Sequence, residues 1–381
     1  MSNMLDYIVW RGDIPFSAVP VNEVDGLILA QLSMFRWENG LAPGGTSKIR
    51  DLFSAMNHQP VSVGFTLDGD LKLLDHVSHC KRFGEIELRD YVHIIDQDVG
   101  MQFGAVTLCL DDGSTYVSFR GTDCTLIGWR EDCELAFAEP APSQKAALAY
   151  LEEAAGKVKG PLYVGGHSKG GNLAMYATVN ISPDIRERIV IVFNHDGPGL
   201  SDRINTRELY ANIVSKLHSF VPQDSIVGML LAHPDKYNVI KSDSLGILQH
   251  DPYSWQVVGP GFEHMSALTQ DSIHFESAIR KWLDMVTESD RKILINSLFD
   301  VLNATKSQTF GLEFWQGLIR NPVAVMEALQ GIREENRIRI GRMLSELSDA
   351  LFSEPDDDEL ENSNEIAGDM EEDEDFNFSL E

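Results

Sequence analysis

The stretch Pro161-Leu162-Tyr163-Val164-Gly165-Gly166-His167-Ser168-Lys169-Gly170-Gly171-Asn172-Leu173-Ala174-Met175-Tyr176-Ala177 decides the reading of this chain. Its first five residues form a short apolar run of the kind expected in a buried strand. Asn172 to Val179 reads as a helix. Between them, Gly166-His167-Ser168-Lys169-Gly170 fits the pattern GxSxG. The pattern has a steric meaning: a serine on a tight strand-to-helix turn needs small residues two positions before and after it. Such a turn presents the hydroxyl at the carboxyl end of a sheet. The helix behind it aims unpaired N–H groups at any negative charge that develops there. Ser168 is therefore the candidate nucleophile, and the backbone N–H of Lys169 a candidate oxyanion donor. The bland alternative is a structural glycine turn holding an incidental serine.

The pattern continues on both sides. Phe103–Leu110 and Ser114–Phe119 are strand-like, and Asp111-Asp112-Gly113 between them is a hairpin turn signal. Lys145–Lys159 reads as a helix, Ile189–Phe193 as a continuous apolar central strand, and Leu217–Val221 as a further short strand. Alternating strands and helices predict a mostly parallel sheet with helices on its faces. Upstream, Asn22–Phe35 carries apolar residues at helical spacing, and residues 262–350 look helical throughout.

Three segments then carry a resemblance. Tyr116-Val117-Ser118-Phe119-Arg120-Gly121-Thr122-Asp123, Trp129-Arg130-Glu131-Asp132 and the Gly-Gly-His-Ser-Lys-Gly-Gly elbow together resemble the class 3, fungal-type lipases, over about residues 103–255. A bacterial branch of lipase-like α/β-hydrolases is closer still, over roughly residues 5–320. It shares Asp6-Tyr7, Trp10-Arg11-Gly12-Asp13, Asn22-Glu23-Val24-Asp25, the Gly-His-Ser-Lys-Gly-Gly elbow and a His-x-Pro-Tyr-Ser-Trp ending. The resemblance implies an α/β-hydrolase fold. It also implies that Thr122 supplies the second oxyanion contact, through its backbone N–H or its hydroxyl. Arg120 and Asp132 are expected to form a structural ion pair that holds this loop. Lys169 departs from the lipases, which commonly carry an apolar residue there. Its ammonium either faces an anionic substrate or turns away with its stem on the helix surface.

A serine hydroxyl needs an imidazole to take its proton and a carboxylate to orient that imidazole, and in these hydrolases they follow in the order Ser, acid, His. His250 sits on a loop beside the turn-forming Asp251-Pro252 and matches the branch's ending, so it is the expected base; His233 is the alternative. Asp224 follows the Leu217–Val221 strand, as the acid does in the resembling lipase segment, and is the expected acid. Asp196 is the alternative, on a loop that resembles one lining the lipase site. His167, His195 and Asp196 are possible pocket residues.

The rest of the chain sets bounds. Its 381 residues, 43% of them hydrophobic, suffice for one large catalytic domain with appendages. The expected division is a catalytic domain over residues 1–255, including an N-terminal segment 1–100, then a helical extension over 256–350 and a disordered acidic tail over 351–381. Packing against the catalytic core is the plain reading of the extension; a lid or partner-binding cap is the sharper one. The net charge is −28, and 14 carboxylates with no Lys or Arg fall between Glu354 and Glu381. Such a charge disfavours nucleic acid and anionic membranes as partners. No apolar run is long enough to span a bilayer, and the first residues lack the pattern of a secretory signal. Cys80, Cys109, Cys124 and Cys133 form no CxxC pair and no zinc-binding spacing. A cytoplasmic serine hydrolase acting on a small-molecule or lipid acyl ester, with no metal or organic cofactor, is the expectation. A non-catalytic lipase-like scaffold is the rival, and the oligomeric state is left open.

Overall fold

A computed structural model describes residues 2–56, 67–135, 140–200, 210–231, 237–307, 309 and 319–352. The acidic tail from residue 353 onward and His233, the alternative base, lie outside the described residues. The chain enters through helices α1 (Met4–Arg11) and α2 (Glu23–Gln31), strand β1 (Thr46–Lys48), and helices α3 (Ile49–Ala55), α4 (Leu67–His79) and α5 (Lys81–Gly84). Strands β2 (Glu87–Asp96), β3 (Met101–Cys109) and β4 (Thr115–Phe119) follow, then helices α6 (Leu126–Glu134) and α7 (Pro142–Lys157). Strand β5 (Leu162–His167) leads into α8 (Lys169–Asn180) and α9 (Pro183–Arg188), and β6 (Ile189–His195), β7 (Leu217–Pro222) and β8 (Asn238–Ile240) come next. A small hairpin of β9 (Val257–Val258) and β10 (Gly261–Phe262) precedes α10 (Gln270–Met285), α11 (Glu288–Ala304), α12 (Pro322–Gly331) and α13 (Glu334–Phe352).

Strands β1 to β8 form one sheet in sequential order. Pairing is antiparallel from β1 to β4 and parallel from β4 to β8. The predicted Asp111-Asp112-Gly113 turn joins β3 to β4, with Gly113 at φ +85°, where only glycine is unstrained. A serine at the β5–α8 turn of such a sheet, with helices on both faces, makes this an α/β-hydrolase fold. The strands read from the sequence are present. Strands β1, β2 and β8 were not anticipated; they are short or carry mixed polarity, so no periodic signal marks them.

Stepping one strand at a time through right-handed crossovers puts the connecting helices on one face of a parallel sheet. Val117, Phe119, Leu162, Val164 and Val192 accordingly pack with Ala147, Leu151, Leu173 and Ala177 of α7 and α8. The other face needs a separate cover, and the N-terminal segment provides it. Tyr116, Tyr163 and Phe193, the alternate residues of β4, β5 and β6, cluster with Val24, Leu27 and Ile28 of α2. Three side chains at two-residue spacing fasten this cover. The Tyr116 hydroxyl donates to the Gly26 carbonyl at 2.9 Å, the Ser118 hydroxyl to Ala30 at 3.1 Å, and Arg120 Nε to Ser33 at 2.7 Å. The Asn22–Phe35 stretch is shorter as a helix than its pattern suggests. Asn22 and Asp25 form a capping box at its start, and the last turn tightens into a 3-10 turn at Leu32–Met34.

Tyr7 and Asp25, from two N-terminal motifs, meet Arg82 at a buried ion pair. Arg82 grips the Asp25 carboxylate through Nε at 2.8 Å and Nη2 at 2.5 Å, with both side chains fully buried. The same guanidinium donates to the carbonyls of Ile14, Val19 and Pro20, and the Tyr7 hydroxyl donates to Asp25 at 3.0 Å. Arg82→Met leaves that carboxylate buried without its cation, so it is expected to cost about 3–5 kcal/mol of stability. Urea unfolding checks this, and a loss below about 1 kcal/mol would show the pair to be dispensable.

Candidate active site

Ser168 stands between β5 and α8 at φ 57° and ψ −133°, a conformation that costs a non-glycine residue on the order of 1–3 kcal/mol. Its neighbours hold it there. Its N–H donates to the His195 carbonyl on the adjacent strand, and its own carbonyl accepts from Gly171, each at 2.9 Å. The spacing of glycines is enforced by contact. A Cβ on Gly166 would lie 2.2 Å from the Gly170 carbonyl carbon, and one on Gly170 would lie 2.2 Å from the Phe119 carbonyl oxygen. Although Ser168 occupies the N-cap position of α8, its hydroxyl makes no capping bond. It opens instead on a cavity of about 840 Å³.

His250 lines the same cavity, at the end of a 3-10 turn over Gly246–His250. Its Nδ1 lies 2.6 Å from Oδ2 of Asp196. Asp196 follows β6 at φ 50°, in the left-handed region that Asp tolerates better than most residues, and it is fully buried. Its other oxygen, Oδ1, accepts from the Ser225 hydroxyl at 2.5 Å and the Gly228 N–H at 3.1 Å. The carboxylate is thus fixed at both oxygens before it meets the imidazole. His167, beside Ser168, supports the imidazole from the other side. The two rings stack at 4.6 Å, and His167 Nε2 lies 2.9 Å from the His250 carbonyl oxygen, so that nitrogen carries the proton. Burial holds the His167 imidazole well below its ordinary pKa, and it stays neutral.

The structure corrects three expectations. Asp224 is not at the imidazole. Its Oδ2 accepts from Gln249 Nε2 at 2.7 Å, and its N–H donates to Gln249 Oε1 at 3.0 Å. It lies past the end of β7, where it fastens the residue before His250, whereas Asp196 lies directly after β6. His195 does not line the cavity. Its ring is fully buried, stacked 5.6 Å from both Phe193 and Phe220, and burial pulls its pKa down to about 3. Arg120 and Asp132 are not partners. Arg120 serves the carbonyls under α2 and the Tyr91 hydroxyl, while Asp132 accepts the Thr122 hydroxyl at 2.5 Å. Thr122 lines the cavity with Gly121, and its hydroxyl proton is committed to Asp132, which leaves its backbone N–H as the candidate donor. Lys169 contributes to the cavity wall, but its ammonium is engaged within the protein. Its ammonium is buried against Glu131 Oε2 at 3.1 Å and the Gln102 side chain at 2.5 Å.

The helical extension closes over this site. Ile279, Trp282 and Leu283 of α10 and Leu294, Ile295 and Leu298 of α11 line the cavity, spaced as one face of each helix. Arg130 of α6 docks α11, with Nη2 2.5 Å from Asn296 Oδ1 and the guanidinium 6.0 Å from the Phe299 ring. Amphipathic spacing predicted a buried face for these helices; nothing in it told cavity from core.

Strand order, elbow and the Asp196–His250 pair all lie within or beside the segment that matches a known family, residues 77–300. The chain belongs to the Mbeg1-like family. No curated protein matches this member of the family. A crystal structure of M37 lipase is similar to it at 16% identity over 42% of this chain, with a TM-score of 0.32. The match spans 63% of that lipase, less than two thirds of its length. Among the described residues of this Mbeg1-like chain, no helix is long and apolar enough to cross a membrane, and no cluster of three or more His, Cys, Asp or Glu side chains is arranged for a metal.

Proposed function

We propose that the protein is a serine hydrolase that cleaves carboxylic esters with an apolar acyl group. The observation that carries this reading is the convergence of a strained, uncapped Ser168 with a His250 imidazole already oriented by Asp196, both on one cavity. Ser168 Oγ attacks the ester carbonyl while His250 Nε2 takes the hydroxyl proton. The Asp196 carboxylate fixes the tautomer with the proton on Nδ1 and stabilises the imidazolium. The N–H groups of Lys169 and Thr122 receive the oxyanion. His250 returns the proton to the departing alcohol, leaving an acyl-Ser168 intermediate. Water then attacks that ester with His250 as base, releasing the acid and restoring Ser168.

The acyl side follows from the cavity. Its volume of about 840 Å³ lies within the ~300–1,000 Å³ usual for small-molecule sites, and the cap contributes Ile, Leu and Trp side chains to its wall. An apolar wall gains about 0.8 kcal/mol for each methylene it takes from water. Filling the cavity with Leu294→Trp is therefore expected to lower kcat/KM for p-nitrophenyl decanoate, relative to p-nitrophenyl acetate, by about tenfold or more. An unchanged ratio would place the acyl chain elsewhere. The reading as a whole is tested by a fluorophosphonate probe, which should form a covalent adduct at Ser168; a folded protein that stays unlabelled would point to a binding scaffold.

A further inference from the structure

We propose that Lys169 and Glu131 are positioning residues that set the spacing between the two halves of the oxyanion site. The proposal rests on the hydrolase reading of Ser168. The two oxyanion donors stand on separate elements, the Lys169 N–H at the start of α8 and the Thr122 N–H on the loop after β4. No sheet pairing joins that loop to α8. The β4–β5 pairing and the close approach of Gly170 to Phe119 bring the two elements together, and a buried chain of polar contacts that begins at Lys169 itself links them further.

Lys169 is 1% exposed, yet its ammonium is fully engaged. It donates to the Gln102 carbonyl at 3.0 Å, the Gln102 Oε1 at 2.5 Å and Glu131 Oε2 at 3.1 Å. Gln102 passes the contact on, its Nε2 donating to the carbonyl of Gly121 at 3.4 Å, directly before Thr122. Glu131 is fully buried and also accepts the N–H groups of Gln102 at 3.0 Å and Ser143 at 2.9 Å. The next residue, Asp132, holds the Thr122 hydroxyl at 2.5 Å and lies 3.9 Å from the Lys169 ammonium. Both ends of the oxyanion site are thus tied to one ammonium by no more than two contacts.

The chemistry suits a spacer better than a stabiliser. Buried ion pairs often contribute little net stability compared with apolar side chains of similar volume, but they fix geometry when every partner is satisfied. The ammonium gives its donors to Gln102 and Glu131, which leaves none for direct contact with the oxyanion. It also bears on Asp132: burial raises that carboxyl's pKa, and the Lys169 charge opposes the rise. The carboxylate that orients Thr122 is therefore kept as an acceptor in part by the same lysine.

The test uses the full-length protein and the double variant Lys169→Met/Glu131→Gln, which removes both charges together, with Lys169→Met alone as a companion. The expected result is a folded double variant whose kcat for p-nitrophenyl butyrate falls about 30- to 300-fold, with KM changed less than about threefold. Its affinity for phenylboronic acid, which forms a tetrahedral adduct on the serine, should fall in proportion to kcat. A purely structural pair would lower Tm and leave kcat and boronate affinity untouched, and a double variant within about threefold of wild type on both overturns the proposal. Wild-type protein that neither hydrolyses the ester nor takes the fluorophosphonate removes the hydrolase reading itself, a separate failure seen before any variant is made.

Discussion

Alanine at Ser168 is expected to abolish ester turnover, lowering kcat by about a millionfold if acyl transfer runs through this hydroxyl. The size follows from the division of labour at the site. The oxyanion donors belong to the backbones of Lys169 and Thr122, and the variant keeps both. They preserve only the modest acceleration that a serine hydrolase retains without its nucleophile. The protein should stay folded, because the Ser168 hydroxyl caps nothing and its strained backbone is held by the His195 carbonyl and the Gly171 N–H. Circular dichroism and Tm establish the fold, and steady-state hydrolysis of a short p-nitrophenyl ester gives kcat. Turnover within about tenfold of wild type in a folded Ser168→Ala protein would end this mechanism.

The second large effect separates two aspartates. Asp196→Asn is expected to lower kcat by about a thousandfold to ten-thousandfold, because an amide that donates toward Nδ1 favours the wrong imidazole tautomer. Asp224→Asn should cost roughly tenfold or less, because that residue touches the turn carrying His250 at Gln249 and Gly246 and not at the imidazole. The order of the two losses is the decisive quantity. If Asp224→Asn proved the more damaging in kcat, with both proteins folded, the acid would have to be reassigned. Asp196 also anchors Ser225 and Gly228, so its variant needs a Tm measurement alongside the kinetics.

The sequence is most legible where spacing and sterics coincide. The elbow is found from Gly166, Ser168 and Gly170 alone, since no side chain fits where Gly170 meets Phe119. His250 is found from its loop and its neighbours. That Asp196 and not Asp224 stands at the imidazole escapes the sequence for a reason of geometry. Asp196 and Asp224 both follow strands at the carboxyl edge of the sheet, and linear order cannot say which strand end lies beneath the histidine. One local sign favoured Asp196: a polar run, Asn194-His195-Asp196-Gly197, interrupts an apolar strand, as happens where backbone must turn sharply. The role of Lys169 was undecidable from the sequence because its partners, Gln102 and Glu131, are brought to it by β3 and α6. Glu131 itself sat unnoticed inside the Trp-Arg-Glu-Asp motif. In the structure the four residues of that motif have separate tasks: Trp129 lines the cavity, Arg130 docks the cap, Glu131 meets Lys169 and Asp132 holds Thr122.

The N-terminal cover of the sheet bears on how the chain is made. Helix α2 leaves the ribosome before the sheet it covers, since the donors for the Gly26, Ala30 and Ser33 carbonyls arrive 87 to 90 residues later, on β4 and the residue after it. At ~5–20 residues per second, that interval is roughly 5–20 seconds of synthesis. The apolar side of α2, with Val24, Leu27 and Ile28, stays without its sheet through all of it. A nascent chain in this interval is a natural client for a holding chaperone, and a protein deprived of residues 1–35 would show the bare side of its sheet to its neighbours.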